Sequence, residues 1–382
     1  MIKGSLLYKE KTMVTIGFTG DIIFSSKYFK ESWQKEDLFD QGIKDYLKEA
    51  DYVVANVEAP MTSAAGGSGG SISHANPPES IVRLNDLNAN IWNLANNHAM
   101  DCGPEGVSDT IALAEANGIR HFGAGMNEEH AGRIVELDEA GGIGMFGVVY
   151  YKDFLKAGVD KPGCITYDEP EKIRAIIEKI KEKNRWCVLV VHGGEEFASM
   201  PLPYVRRLYH KFLEYGADAI VSHHSHTLQN YEKVGDKMIF YSLGNLVCDT
   251  DYQRLQKHTQ EGALIRLTFD EEKYTWDYHG TKIDRQEHKV VSCEPTAIFT
   301  NIGEEQFRKL WPLGAWNYCK TDRIASIYFN PHKADFTALQ WIQNDISWFG
   351  KNIAMELLRG RLLYRLGLWR SADKKLVEYL LE

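Results

Sequence analysis

The stretch "DAIVSHHSHTLQ" (Asp218–Gln229) sets His223, His224 and His226 directly after an apolar run. Other apolar runs end in the same way. "FTGDII" leaves Asp21, "VANVEAP" leaves Asn56 and Glu58, "NLANNHAMDCG" leaves Asn96, Asn97, His98 and Asp101, and "VVHGGEE" leaves His192 and Glu196. One such end is an ordinary turn or cap, which is what Asp21 after Gly20 would be on its own. Five together, all carrying Asp, Glu, Asn or His, point to a site. The donors are oxygen and imidazole nitrogen with no thiolate, a set that suits Mn, Fe, Zn or Ni rather than Ca and is no closed structural zinc site. There are more ligands than one ion with an open position needs. Two ions about 3.5–4 Å apart, bridged by a carboxylate and water, would use them and would activate water for attack.

In an extended "HSH", side chains at i and i+2 share one face. His224 and His226 could then each reach a different ion, while His223 would point away as a supporting or structural residue. Asn96 reads as a structural cap and Asn97 as a ligand. Asp101 reads as the group that orients His98, or as a turn residue before Gly103. Glu196 reads first as a partner that fixes an imidazole, and otherwise as a substrate contact or helix-start acid. In "YSLGN", Ser242 and Asn245 either line the site or form a glycine turn. His74, His121, His130, His210, His258, His288 and His332 have no motif around them and read as ordinary histidines.

The elements that must position these residues are strands and covering helices. "TMVTIGFTGD", "ADYVVANVE", "NANIWNLANNH", "GIGMFGVVYY", "RWCVLVVHGG", "DAIVSHHS" and "KMIFYSLGN" are mostly continuous apolar runs, as strands buried on both faces are. Between them, "PEGVSDTIALAEANG" has Pro104 near its start and Gly118 past its end, the order expected of a helix. "EPEKIRAIIEKIKEKN" lines Ile173, Ile176, Ile177 and Ile180 along one face, and "LPYVRRLYHKFLEYG" stops at Gly216. An α/β layout follows, with ligands gathered beyond the carboxyl ends of the strands. "ALIRLTFDEEKYTWDYHGTKI" alternates as antiparallel strands do. The Gly/Ser-rich stretch Thr62–Ser80 reads as a lid or as disorder. From about residue 303 the chain turns helical and Trp-rich, so we divide it into a main domain over 1–300 and a helical appendage over 301–382.

The 382 residues, 44% hydrophobic and 25% charged, are ordinary for a globular protein. A net charge of −9 argues against a general nucleic-acid partner and weakens a nuclease reading. No run of about 18 apolar residues suggests a transmembrane helix, and the first residues do not look like a signal peptide. Cys102, Cys164, Cys187, Cys248, Cys293 and Cys319 are scattered without a CxxC pair, which fits reduced thiols and a cytoplasmic protein.

Taken as a string, GD, NxE, LANNHxxDxG, HxGxE, HxH and YSLGN, with "PPES" and "GIRHFGAGMNEEHA", resembles the CapA-type capsule-synthesis (poly-γ-glutamate biosynthesis) proteins over roughly residues 13–270. These are similar to calcineurin-like metallophosphoesterases. The resemblance implies an αββα sandwich, with the helical appendage read above lying beyond it. It implies that Asp21 and His226 serve a first divalent transition metal ion, that Asn97, His192 and His224 serve a second, and that Glu58 bridges them. His98 would be the general acid, with Asp101 behind it. Asn56, Asn96, Glu196, His223, Ser242 and Asn245 would support the site or meet the substrate. Two positions depart from the superfamily pattern: Ile23 stands where its opening Asp-x-His motif has histidine, and the bridging carboxylate is Glu58 rather than aspartate.

The expected function is a metal-dependent hydrolase of capsule or poly-γ-glutamate synthesis, acting on a phosphoester or related bond. The expected partners are an anionic polymer or phosphoester substrate and the capsule-synthesis machinery. The rival is a non-catalytic metal- or polymer-binding subunit that assists assembly or export.

Overall fold

A computed structural model describes residues 13–307 except 65–72, 151, 257 and 295–298. The helical appendage expected over 301–382 lies outside the described residues beyond Phe307, as does the middle of the Gly/Ser stretch.

The apolar runs assemble into two sheets. In the first, Val14–Ile22 lies at the centre and pairs in parallel with Tyr52–Val57, which continues to Ile91–Asn93 and Arg120–Phe122. On its other side Val14–Ile22 pairs with Glu261–Phe269, which runs antiparallel into Tyr274–Asp284 and Lys289–Cys293. This is the antiparallel hairpin expected from the alternating pattern. The second sheet has the parallel strands Ile143–Val149, Trp186–His192, Ala219–His223 and Lys237–Phe240, with Val135–Leu137 and Tyr231–Val234 at its edges.

Strand alternation decides which face each sheet turns inward. Val14, Ile16 and Phe18 of the first sheet join Met145, Val188, Val190, Val221 and Phe240 of the second in one buried cluster, so the sheets pack face to face. Gly17, between them in sequence, faces outward against Leu47 of the helix Gln41–Lys48. Helix Gly103–Ala116 adds Val107, Ile111 and Ala114 to the same outer cluster. Outside the second sheet, Pro170–Lys181 buries Ile173, Ile177 and Ile180, and Pro203–Tyr215 buries Leu208, Phe212 and Leu213. Gly118 and Gly216, just past their helices, have φ of 67° and 122°, conformations that favour glycine. The layer order is αββα, the calcineurin-like architecture that the motifs imply.

Three local features bear on the expectations. The Thr62–Ser80 interruption is narrower than its composition suggests. Thr62 N–H donates to Asn76 O (3.1 Å), Asn76 N–H donates to Pro60 O (2.8 Å), and Pro78–Ser80 already starts the next helical turn. "KMIFYSLGN" is not one strand, because Lys237–Phe240 belongs to the second sheet and Asn245–Val247 pairs with Val14–Ile22 in the first. The chain crosses between sheets at Gly244, whose φ is 68°. Finally, Cys102, Cys164, Cys187, Cys248 and Cys293 are all unpaired, as expected of reduced thiols.

Candidate metal centre

The crossing at Gly244 places two distant motifs side by side. Asp21 N–H donates to Gly244 O (2.9 Å), Asp21 sits in register with Asn245, and a Cβ on Gly20 would run into Gly244 O. The adjacent strands bring Asn56 level with Asp21 and Asn93 level with Asn56. In the other sheet His192 lies level with His223. The carboxyl ends of both sheets therefore meet at one point.

Asp21 and Glu58 are fully buried there. The Asn56 amide donates to Asp21 Oδ1 (2.8 Å), and Asn93 donates in turn to Asn56 Oδ1 (2.8 Å). His223 Nδ1 lies 3.3 Å from Asp21 Oδ1, and His226 Nδ1 lies 3.4 Å from Oδ2. Burial by itself would raise the Asp21 carboxyl, but those two imidazoles hold it well below the usual carboxylate range. Glu58 is different. Neither of its carboxylate oxygens has a hydrogen-bond partner. Burial and the neighbouring Asp21 charge push its pKa well above the ordinary value.

One ligand atom each from Asp21, Glu58 and His226 lie within 4.8 Å of one another, and so do atoms from Glu58, His192 and His224. Glu58 belongs to both groups. His192 Nε2 is 2.7 Å from Asn97 Oδ1 and 3.3 Å from Glu58 Oε1, which brings Asn97 to the second group. The buried Nδ1 atoms of His192 and His224 also lack hydrogen-bond partners. A fully buried carboxylate without donors costs several kcal/mol unless a cation compensates it. The donor set therefore fits divalent metal ions on physical grounds.

The imidazoles are not in one electrostatic state. Burial holds His192 well below its ordinary pKa and His224 down to about 4, so both are neutral and can offer a lone pair. Burial opposes the charge on His226 as well, but Glu58 and Asp21 outweigh it and raise its pKa to about 10. Asn245 orients the ring of His226. Its amide nitrogen faces three oxygens, His226 O (3.3 Å), Gln253 Oε1 (3.1 Å) and Thr259 O (2.9 Å). Its Oδ1 must then accept from His226 Nδ1 (2.8 Å), which turns Nε2 toward Glu58 (3.6 Å). We predict that Asn245→Ala weakens Mn binding about 10- to 100-fold, the usual cost of removing such a partner. A titration giving the wild-type affinity would count against this orienting role.

The route by which the histidines arrive differs from the strand argument. The strand ends at His223, and His224 and His226 have φ of 91° and 54°. Left-handed backbone, not extended alternation, aims them inward, and His223 faces Asp21 rather than pointing away. His98 Nδ1 is 2.7 Å from Asp101 Oδ2, while Asn96 accepts the His98 backbone N–H at Oδ1 (3.1 Å) and its Nδ2 donates to Val57 O (2.8 Å). Ser242 Oγ accepts from Gly244 N–H (3.1 Å), a turn contact, so within "YSLGN" only Asn245 reaches the site. Glu196 makes no hydrogen bond to an imidazole among the described residues. It follows the Gly194 turn beyond the strand end and acts on His224 and His226 through its charge. Ile23 is buried with Ala59 and Cys248 in a small apolar cluster.

Sequence reading missed Asn93, which ends an apolar run but has no motif partner. It also missed the two rings beside the imidazoles, Tyr150 4.6 Å from His224 and Phe197 5.9 Å from His226. Elsewhere, Glu115, His121 and His130 also converge. There Arg133 already supplies the positive charge, 3.1 Å from His121 Nε2 and 3.5 Å from Glu115.

Residues 15–250 match the family described as "Bacterial capsule synthesis protein PGA_cap". The chain belongs to this family. This capsule-synthesis family member is 31% identical over 261 residues to the PGA biosynthesis protein CapA of Bacillus subtilis (strain 168), covering 66% of this chain and 67% of that protein. It is 28% identical over 272 residues to the capsule biosynthesis protein CapA of Bacillus anthracis, covering 68% and 64%. A probable polyglutamine synthesis accessory protein of Mycobacterium tuberculosis is 24% identical over 204 residues, covering 50% and 53%. The chain thus spans about two thirds of its Bacillus relatives. Among solved structures, the 5'-nucleotidase of Candida albicans SC5314 aligns with a TM-score of 0.37 at 9% identity, over 83% of this chain and 59% of that one. A protein of Thermus thermophilus aligns with a TM-score of 0.39 at 10% identity, over 74% and 99%. The architecture of this family member rests on its own two sheets rather than on those alignments. No helix among its described residues is long and apolar enough to cross a membrane.

Proposed function

We propose that the chain is a metal-dependent hydrolase of capsule or poly-γ-glutamate synthesis that cleaves a phosphoester or related bond. The observation that carries this reading is Glu58, fully buried, with both oxygens unpartnered and common to two ligand groups. Asp21, Glu58 and His226 would hold one ion; Glu58, Asn97, His192 and His224 would hold the other. The nitrogen and oxygen donors favour Mn, Fe or Zn. Bound there, such ions supply Lewis-acid activation of the scissile group and of the attacking water.

The chain's own groups supply the rest. Asn56 and His223 keep Asp21 oriented and charged. Asp101 accepts the Nδ1 proton of His98, so the proton available to a leaving oxygen is the one at Nε2. A second reading, a non-catalytic metal- or polymer-binding subunit, draws on Ile23, whose apolar surroundings remove one ligand that the superfamily has.

Elemental analysis of chelator-free protein should find about two transition metal ions per chain, and His224→Ala/His226→Ala should lose them. Turnover of bis(p-nitrophenyl) phosphate by the loaded wild type supports the hydrolase. Two bound ions without turnover of it or of amide and ester analogues would favour the binding subunit, and no metal after reconstitution would sink both metal readings.

A further inference from the structure

We propose that His74, within the Gly/Ser-rich stretch Thr62–Ser80, is a substrate-contacting residue on the leaving-group side of the centre. The proposal rests on the hydrolase reading and extends it to a residue that no sequence motif marks.

The position of His74 is built rather than incidental. Asp101 Oδ2 accepts from His98 Nδ1 (2.7 Å) and from the backbone N–H of His74 (2.8 Å), so one carboxylate oxygen anchors both histidines. Ser73 Oγ donates to Asp101 O (3.2 Å), which fastens the preceding residue to the same turn. Two residues on, Asn76 is fully buried, accepts from the Ser25 backbone N–H (3.1 Å) and is tied by its own backbone to Pro60 and Thr62. A short segment held at both ends in this way has little freedom left to lose when a ligand binds.

The ring stands edge-on to His98, with centroids 4.7 Å apart at 82°. Its Nδ1 lies 3.5 Å from Ser25 Oγ. Its Nε2 has no protein partner among the described residues. Burial, reinforced by neighbouring His98, lowers its pKa to about 4, so near pH 7 the ring is neutral, with one N–H and one lone pair. A neutral donor beside the acid group can hydrogen-bond a non-bridging or leaving-group oxygen of a phosphoester without competing for the proton at His98. His74 is no metal ligand itself: none of the atoms in either ligand group comes from it.

The test uses the full chain loaded with Mn, comparing wild type, His74→Ala and His74→Gln on bis(p-nitrophenyl) phosphate, with metal content measured for each. One hydrogen bond to an anionic group corresponds to roughly a tenfold effect. His74→Ala should therefore raise KM on the order of tenfold at unchanged metal content, and His74→Gln, which keeps an N–H donor, should recover most of the loss. An unchanged KM in His74→Ala would overturn the proposal, as would equal loss of metal from both variants, since that is the mark of a brace. If the wild type shows no turnover, the hydrolase reading fails separately. Calorimetric binding of inorganic phosphate then decides for His74: weaker binding by His74→Ala supports the contact, and equal binding overturns it.

Discussion

His98→Ala should lower kcat by about 10²- to 10⁴-fold, the range for loss of a positioned acid, while metal per chain stays at the wild-type value. The two halves of this expectation have separate structural grounds. His98 is in neither ligand group, and the loop that carries it is held by other atoms: Asn96 to Val57 O and Leu94 O, Asp101 N–H to His98 O. Removing the imidazole therefore takes away a proton donor without removing a ligand. The loss should depend on the leaving group. A nitrophenolate departs with little help from an acid, so His98→Ala should lose least on a p-nitrophenyl ester and most on an alkyl ester. Steady-state rates across such a series, with metal analysis of each preparation, check the expectation. A kcat within twofold of wild type on the alkyl ester would remove His98 from the chemistry, and metal loss would make it a ligand instead.

Glu58→Gln should abolish binding of both ions, because the same carboxylate stands in both groups. A carboxamide is nearly isosteric but brings no charge, and each group then loses its shared anion. Saturation with Mn at about a hundred times Kd stabilises a folded protein by about 2.7 kcal/mol, which corresponds to a rise in Tm of roughly 4 °C for a domain of this size. The wild type should show that rise and the variant should not. The metal-free proteins should diverge in the opposite sense. Glu58 binds its proton more tightly folded than unfolded, so its contribution is full below the ordinary glutamate range and is lost as pH rises toward the raised folded value. Glutamine has no such loss. The Tm of metal-free Glu58→Gln relative to wild type should therefore increase with pH above the ordinary glutamate value. Thermal melts across pH, with and without Mn, test both halves. A variant that still binds two ions would show that Glu58 does not bridge.

The legible part of this protein was local. Continuous apolar runs marked the strands around Val14–Ile22, Trp186–His192 and Ala219–His223, because a strand buried on both faces needs no polar alternation. Proline at the start and glycine past the end marked the helices, because those residues answer to backbone dihedrals a few positions away. The residues of the centre were visible for a similar reason: polar side chains directly after apolar runs fall at strand ends.

Contacts between segments far apart in the chain were not legible. "HSH" looks extended, but His224 and His226 reach the site through left-handed backbone, with the His224 N–H donating to Asp21 across 203 residues of sequence. "YSLGN" looks like one strand end, but its two halves belong to different sheets, which is why Asn245 meets His226 while Ser242 only stabilises a turn. Asn93 and His74 gain their places from strand register and from Asp101. Whether a buried carboxylate finds donors depends on every element that converges on it. The two bare oxygens of Glu58 are thus a property of the packed sandwich, and no window of sequence around Glu58 contains them.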